Sequence, residues 1–423
     1  MNGSRSIKKI GGKAAKPLLL LLIVLSISTC IDPFNPDIKG REALLVVDGL
    51  LTNENRSYTI RLSKTTPSQN DEPVMVSGAF MTITDQNGIE SRLSEKTAGI
   101  YQTDSLSFRG EAGSTYTLYI RTSEGTEYKS DPSVMYSVQP IDSILYLKDQ
   151  EILNNNTEIL DGIRIFLNSE NSGGGKYFRW IYDEWWKFSV PNPKRYNYID
   201  PDNIPEVDTL KQVCYAHHGS DEIIIHSGES SQSDRIEKEP VLFVASDQSD
   251  RLLIQYCIDI KQLSLSPAEF QFWEQLKEIS EGGGDIFDKQ PFTITGNVHN
   301  ISNPAESVLG YFQVSALEEK RIYILPSDLE SFNLPEYKYD CERIERGPGD
   351  YPYYVTFDQI YESNTTTGYI FIEPVYNMML ALTRLAFAKP ACAICTSRGS
   401  LTKPDFWIDL ESPQIKNDNT RHK

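Results

Sequence analysis

The chain has 423 residues, 41 basic and 59 acidic, for a net charge of −18. Such a surface repels phosphate backbones and anionic headgroups, which excludes nucleic acid as a natural partner and requires any membrane attachment to come from something other than charge. The length exceeds one small core and points to two or three domains, and 23 tyrosines, 23 prolines and 26 glycines favour β-structure with many turns.

The first 29 residues read as a signal peptide. Arg5, Lys8, Lys9, Lys13 and Lys16 stand before or beside an apolar run from Leu18 to Leu25, with no acidic residue among them. A membrane-spanning helix needs about 20 apolar residues, so this run has the length of a signal h-region instead. It closes with Ile27-Ser28-Thr29-Cys30, small residues before a cysteine, where a bacterial lipoprotein is cut and its new N-terminal cysteine acylated. The alternative is an ordinary cleaved signal with a coincidental cysteine. Several acyl chains on Cys30 would hold the protein on a membrane stably, where one would not. Removing residues 1–29 takes away five positive charges and moves the net charge from −18 to −23. Residues 30–40 then form a lipidated tether.

Strand signals follow at once. Ala43 to Leu50 is an apolar run interrupted by Asp48-Gly49. Tyr58, Ile60 and Leu62 alternate with polar residues, as do Ala79, Met81 and Ile83, and Tyr116, Leu118 and Ile120. Asp85-Gln86-Asn87-Gly88 is a hairpin turn signal. Strands spaced this way predict an antiparallel Ig-like or transthyretin-like sandwich over 41–136.

A larger β-rich domain is expected over 137–411, with Gly162–Leu167 as one strand. Its most aromatic stretch runs from Tyr177 to Phe188. Two uses compete for these rings, a packed sheet core and a stacking platform for a ligand or partner. The contact candidates are Trp180, Tyr182, Trp185 and Trp186. Residues 191–211, rich in Pro, Asn and Asp, read as a long exposed loop. Ser266-Pro267-Ala268-Glu269 is a capping box that opens a helix over 267–280; Phe270, Trp273, Leu276 and Ile279 form its apolar stripe, and Gly282-Gly283-Gly284 stops it. The segment Asn377 to Ala388 suits either a helix or a strand. Residues 412–423 read as a frayed tail.

Beyond Cys30, the cysteines are Cys214, Cys257, Cys341, Cys392 and Cys395. Five is odd, so at least one thiol is free or pairs outside the chain. Cys392-Ala393-Ile394-Cys395 sits in a loop rather than at a helix start, and no second CxxC supplies zinc ligands. A structural disulfide is the expected use, joining Cys341 to Cys392 or Cys395, in an oxidising compartment. The chain has no nucleophile elbow, HExxH, P-loop or GxGxxG. His217 and His218 point to opposite sides of a strand; His218 and His226 converge only if a hairpin joins them. No catalytic residue, metal or cofactor is therefore expected. Asp104-Ser105-Leu106, Asp142-Ser143-Ile144 and Asp208-Thr209-Leu210 match a short envelope O-glycosylation pattern that also arises by chance.

Several blocks, taken in order, resemble a known family. They are Leu252 to Tyr256, Gln262-Leu263-Ser264-Leu265-Ser266, Phe272-Trp273, Ile286-Phe287-Asp288, Gly296-Asn297-Val298 with Asn300, and Val308-Leu309-Gly310-Tyr311-Phe312. Val46-Val47-Asp48-Gly49 near the N-terminus fits too, as does the CxxC with Lys403-Pro404-Asp405-Phe406-Trp407. Together they resemble the Bacteroidetes lipoprotein family of unknown function numbered four-two-four-nine, over nearly the whole mature chain. The resemblance implies an outer-membrane lipoprotein, on either face of that membrane, whose relatives accompany TonB-dependent receptors. It carries no activity onto particular residues. The function expected is therefore a non-enzymatic accessory that helps a TonB-dependent transporter capture or admit its ligand. The alternatives are a structural or adhesive envelope protein, and an envelope hydrolase with an unrecognised site.

Overall fold

The computed structural model describes residues 43–410 apart from 67–70, 105–107, 154–157, 171–175, 229–234, 282–293 and 295. The signal peptide, Cys30 and its tether, Ser105-Leu106 and the tail 412–423 lie outside the described residues.

Alternating sequence becomes strands throughout. The first group is β1 (Leu45–Leu51), β2 (Thr59–Lys64), β3 (Val74–Met75), β4 (Phe80–Asp85), β5 (Glu90–Thr97), β6 (Ile100–Gln102), β7 (Thr115–Arg121), β8 (Glu127–Ser130) and β9 (Ser133–Val134). Next come β10 (Ile141–Leu153), β11 (Glu158–Glu170), β12 (Tyr177–Ser189), β13 (Val213–Gly219), β14 (Ile224–Ser227), β15 (Arg235–Ala245), β16 (Gln255–Leu265) and helix α1 (Pro267–Glu281). The chain ends with β17 (Val298–Asn300), β18 (Leu309–Val314), β19 (Leu317–Ile324), β20 (Ile344–Arg346), helix α2 (Phe357–Thr366), β21 (Ile370–Tyr376) and β22 (Leu382–Ala388). The protein is mainly β, as its turn-rich composition predicts.

The first sheet runs β17-β8-β7-β4-β5-β6-β2-β1-β18, with β3 on β2 and β9 on β7. It folds over one core, into which Val47, Ile60, Leu62, Ile83, Leu118 and Phe312 point with no exposure. The Asp85–Gly88 turn joins β4 to β5, and Gly88 takes the left-handed backbone the turn demands. Residues 41–136 do not complete this layer. β18 adds to β1 in parallel and β17 adds to β8, so the sheet borrows both its end strands from beyond residue 297. Such pairing between distant segments leaves no periodic mark on the sequence between them.

Asn297 laces the two ends of this sheet together. Its buried amide donates to Phe312 O at 2.9 Å, its carbonyl oxygen accepts from Phe312 N at 2.9 Å, and its own backbone oxygen accepts from Asp131 N at 2.7 Å. The backbones crowd here. A Cβ on Gly296 would lie 1.7 Å from Gly310 O, and one on Gly310, whose φ is +80°, would lie 2.1 Å from Val47 O. Only glycine fits either place.

A second sandwich faces the three-stranded sheet β10-β11-β15 against β13-β12-β16-β19, with β14 on β12. Phe178, Trp180, Ile165, Leu167, Ile258 and Ile260 fill the space between them. Inside this apolar core sit Gln262 and Ser264, both fully buried. Gln262 accepts from Trp180 Nε1 at 2.8 Å and donates to Gln139 O at 2.8 Å; Ser264 Oγ donates to Tyr136 O at 2.6 Å. These two polar residues fasten the 136–140 linker to β16.

The third sheet, β20-β22-β21, packs beneath α2. Asn377 to Ala388 is thus a hairpin turn followed by strand β22, not a helix. Residues 191–211 form no long strand, but Tyr196, Tyr198 and Ile204 pack into this third core, which corrects the reading of a simple exposed loop. Cys341 is bonded to Cys392 and Cys214 to Cys395; among the described residues Cys257 is the free thiol, buried and with its pKa pushed up to about 12 by that burial.

Helix α1 starts as its capping box predicts. Ser266 Oγ accepts from Glu269 N at 3.2 Å and Glu269 Oε2 accepts from Ser266 N at 2.7 Å. Phe270 meets Tyr177, and Trp273 lies under the Arg179 guanidinium, 3.5 Å from its ring centre. Ile279, at the far end of the predicted stripe, is exposed. Glu269 does more than cap. Its other oxygen accepts from Val314 N at 2.8 Å, where the chain leaves the first sheet for the second. The next three amides are also held: Ser315 N by Leu51 O at 3.0 Å, Ala316 N by Ser264 Oγ at 3.0 Å and Leu317 N by Asn53 Oδ1 at 2.7 Å.

Asn297→Ala leaves the amide and carbonyl of Phe312 buried without partners and should cost about 2–4 kcal/mol of stability, read by urea unfolding. Complete burial lifts the Glu269 carboxyl from its ordinary 4.5 to about 7. Between those values the native state holds a proton that the unfolded chain has lost, so this group makes stability fall as pH rises from about 4.5 to 7. Urea midpoints across that range should show a shallower fall in Glu269→Gln than in the wild type.

Candidate functional site

Strand β12 carries all four aromatic contact candidates, and the pleat sorts them. Even-numbered residues from Phe178 to Glu184 face the sandwich interior, and odd-numbered ones face outward. Trp180 has no exposed surface and Tyr182 has 5%. Both are core side chains and cannot meet a ligand, so the packed-core use holds for them. Trp185 and Trp186 are half-buried on opposite faces. Alternation puts Phe178, Trp180 and Tyr182 on one face and Arg179, Ile181 and Asp183 on the other; the opposing sheet decides which face is closed off.

On the outer face Trp185 stacks on His217, 4.1 Å between ring centres, and meets the edge of Phe406 at 5.4 Å. Charges surround this trio. Asp183 lies 2.9 Å from His217 Nε2 and 3.0 Å from Lys261 Nζ. Asp409 accepts from Lys403 at 2.7 Å and Lys187 at 3.0 Å, and those two cations pull its pKa down to about 2. These pairs reach solvent, where each contributes little to stability. They leave a half-open aromatic platform edged by both signs of charge.

On the inner face the sheet holds two buried carboxylates. Glu184 accepts from Tyr256 Oη at 2.7 Å and lies 3.2 Å from Arg251 Nη2 and 3.4 Å from His218 Nδ1. Burial raises its pKa in spite of Arg251 and Tyr256. Asp250 accepts from Trp186 Nε1 at 3.0 Å, Tyr339 Oη at 2.8 Å and Arg398 Nη2 at 2.9 Å. Arg398 also covers Phe188, and the nearby Cys395 is tied to Cys214 on β13. A raised carboxyl pKa suits a proton donor, but Glu184 has no exposed surface and its oxygens already face a phenol and a guanidinium. Through Tyr339 and Arg398, Asp250 fixes the C-terminal segments to this sandwich. His217 and His218 do point to opposite faces, one to Asp183 and one to Glu184. His226 bonds Glu239 instead of joining His218. Among the described residues no three His, Cys, Asp or Glu are grouped to hold a metal ion.

The most exposed apolar feature lies elsewhere, at the tip of the β21–β22 hairpin. Met378, Met379 and Leu380 are 104, 86 and 83% exposed, and Tyr376 beside them 50%. The turn is fixed by Asn377, whose Oδ1 accepts from Met379 N at 2.9 Å and Ala381 N at 3.0 Å. From Pro374 to Thr383 no side chain is charged. The sequence analysis passed over this tip; the signal available was an Asn-led apolar triplet between two strand-like runs.

Packed β-layers, a half-open aromatic face and an exposed apolar hairpin tip make up a mainly β protein. The sequence matches the family described as Domain of unknown function (DUF4249) over residues 31–321, and the chain belongs to that family. The match ends within β19, short of the CxxC and the Lys403–Trp407 segment that the resemblance took in. No curated protein matches the chain, and no solved structure does.

Trp180→Ala should destabilise the fold by about 3–5 kcal/mol, as expected for deleting a fully buried large aromatic. Trp185→Ala should cost about 1 kcal/mol or less. Guanidinium unfolding of the two variants checks both, and equal losses would contradict the assignment of faces.

Proposed function

We propose that this protein is a non-enzymatic lipoprotein of the outer membrane, anchored through Cys30, that docks on a TonB-dependent receptor and helps it capture or admit a ligand. The observation that carries the reading is the fingertip Met378-Met379-Leu380. Three large apolar side chains held almost fully in water by a fixed turn are costly to a soluble protein, and such patches mark contact sites. A rigid turn loses little conformational freedom on binding, and methionine adapts to irregular partner surfaces. The sequence pattern around Cys30 supports the anchor. Membership of the family supports the setting, since its relatives are expected beside TonB-dependent receptors. The non-enzymatic part is supported by the burial of Glu184 and Asp250 and their pairing with Arg251 and Arg398.

The test is gentle detergent purification of the tagged, lipidated protein from its native outer membrane, with mass spectrometry of what travels with it. The expected result is a TonB-dependent receptor in stoichiometric amount, lost by at least tenfold in a Met378→Asp/Leu380→Asp variant whose melting temperature is unchanged. A lone lipoprotein, from a preparation in which another receptor–lipoprotein pair survives, would overturn the reading.

A further inference from the structure

The loop over 191–211 and the disulfide-bearing segment after β22 line a half-open cavity of about 320 Å³. Lys194 and Asn197 line it from the start of the loop, Thr209 and Lys211 from its end, and Ile394 from the segment between the two bonded cysteines. Its walls are built. Lys194 N donates to Ala393 O at 2.9 Å, Cys395 N donates to Lys211 O at 2.9 Å, and Val207 N donates back to Arg195 O at 2.9 Å. The bonds Cys392–Cys341 and Cys395–Cys214 hold the Ile394 wall from both sides. Backbone contacts thus fix the roots of both lysines on one small space.

Two cations line one small space in a chain that is acidic overall. In a chain with 59 acidic and 41 basic residues, cations such as Lys187, Lys261, Arg251, Arg321 and Arg398 each meet a carboxylate. Among the described residues, no carboxylate lies within ion-pair distance of Lys194 or Lys211. Asp208 is the one acid on the cavity wall. Lys194 is instead held below its ordinary pKa by burial and then by the charge of Lys211. Lys194 is half-buried and Lys211 exposed, and their like charges repel across this one small space. An anion between them removes that repulsion, and the Asn197 amide and Thr209 hydroxyl can add hydrogen bonds. The volume is at the small end for ligand sites.

We infer that the cavity between Lys194 and Lys211 is a binding site for a small oxyanion of two or more negative charges, a dicarboxylate or a tetrahedral phosphate or sulfate group. The acidic surface beyond the cavity repels such an anion at long range, so affinity comes from the two lysines at contact distance and weakens with added salt. The inference is independent of receptor docking, because its residues lie in the loop and the cysteine segment and not at the hairpin tip.

The test is isothermal titration of the full-length protein, in neutral detergent at low salt, with sodium phosphate, sodium sulfate and sodium succinate separately. Saturable binding of at least one probe is expected. Lys194→Gln and Lys211→Gln should each weaken it tenfold or more, and Lys389→Gln, an exposed lysine just before the cysteine segment, should leave it unchanged. Relief of crowding adds a second readout: Lys194→Gln should melt at or above the wild-type temperature, which separates loss of a site from loss of the fold. Binding of succinate alone assigns the site to carboxylates, and of phosphate or sulfate alone to tetrahedral anions. No binding of any probe, or equal binding by the Lys194→Gln/Lys211→Gln protein, would overturn the inference.

Discussion

The fold depends on four consecutive amides, from Val314 to Leu317. Here the chain leaves a strand paired in parallel with β1 and enters one paired antiparallel with β16. A crossing between two sandwiches strips the backbone of ladder partners at a place where no water reaches, since Val314, Ser315 and Ala316 have almost no exposed surface. Buried amides must be bonded, and each of these finds a different acceptor: the Glu269 carboxyl, a β1 carbonyl, the Ser264 hydroxyl and the Asn53 side chain. The two sandwiches are therefore joined through hydrogen bonds drawn from β1, the turn after it, β16 and the first turn of α1.

This constraint explains residues that otherwise look misplaced. Glu269 is an acid without exposure at the start of an otherwise half-exposed helix, because it both caps that helix and holds Val314. Ser264 and Gln262 interrupt an apolar strand because the linker and the crossing need donors and acceptors inside a dry core. Gly296, Asn297 and Gly310 cluster because three backbones meet where the first sheet closes. The blocks that carry the family resemblance are in large part these joints. Among the described residues these blocks supply hydrogen bonds that close the first sheet and join it to the second sandwich.

Surfaces that could carry function lie away from the joints. The fingertip of the β21–β22 hairpin and the lysine cavity both fall wholly or partly beyond residue 321, where the family match ends. Both disulfides tie this C-terminal region down. Cys214–Cys395 closes a loop of 181 residues, and Cys341–Cys392 one of 51. Closing long loops removes more freedom from the unfolded chain than closing short ones, so the cross-links suit a region whose own sheet has only three strands.

The sequence by itself determined the mainly β character, most strands of the first layer, the capped helix at Pro267, at least one cysteine left without a partner in the chain and the Cys341 bridge to the CxxC. Alternation, turn residues and capping spacing are written within a few positions of one another, and cysteine parity is a count over the whole chain. Tertiary structure decided that β17 and β18 belong to the first sheet, that Trp180 is core while Trp185 is half-open, and that Cys214 takes Cys395. It also decided that Lys194 and Lys211 share a cavity. Each of these depends on which distant segment lies opposite, and a pleated strand shows the same composition whether its outward face meets water or another layer. An exposed Met-Met-Leu tip and a buried one read alike in sequence; only the turn bonded to Asn377 and the empty space around it tell them apart.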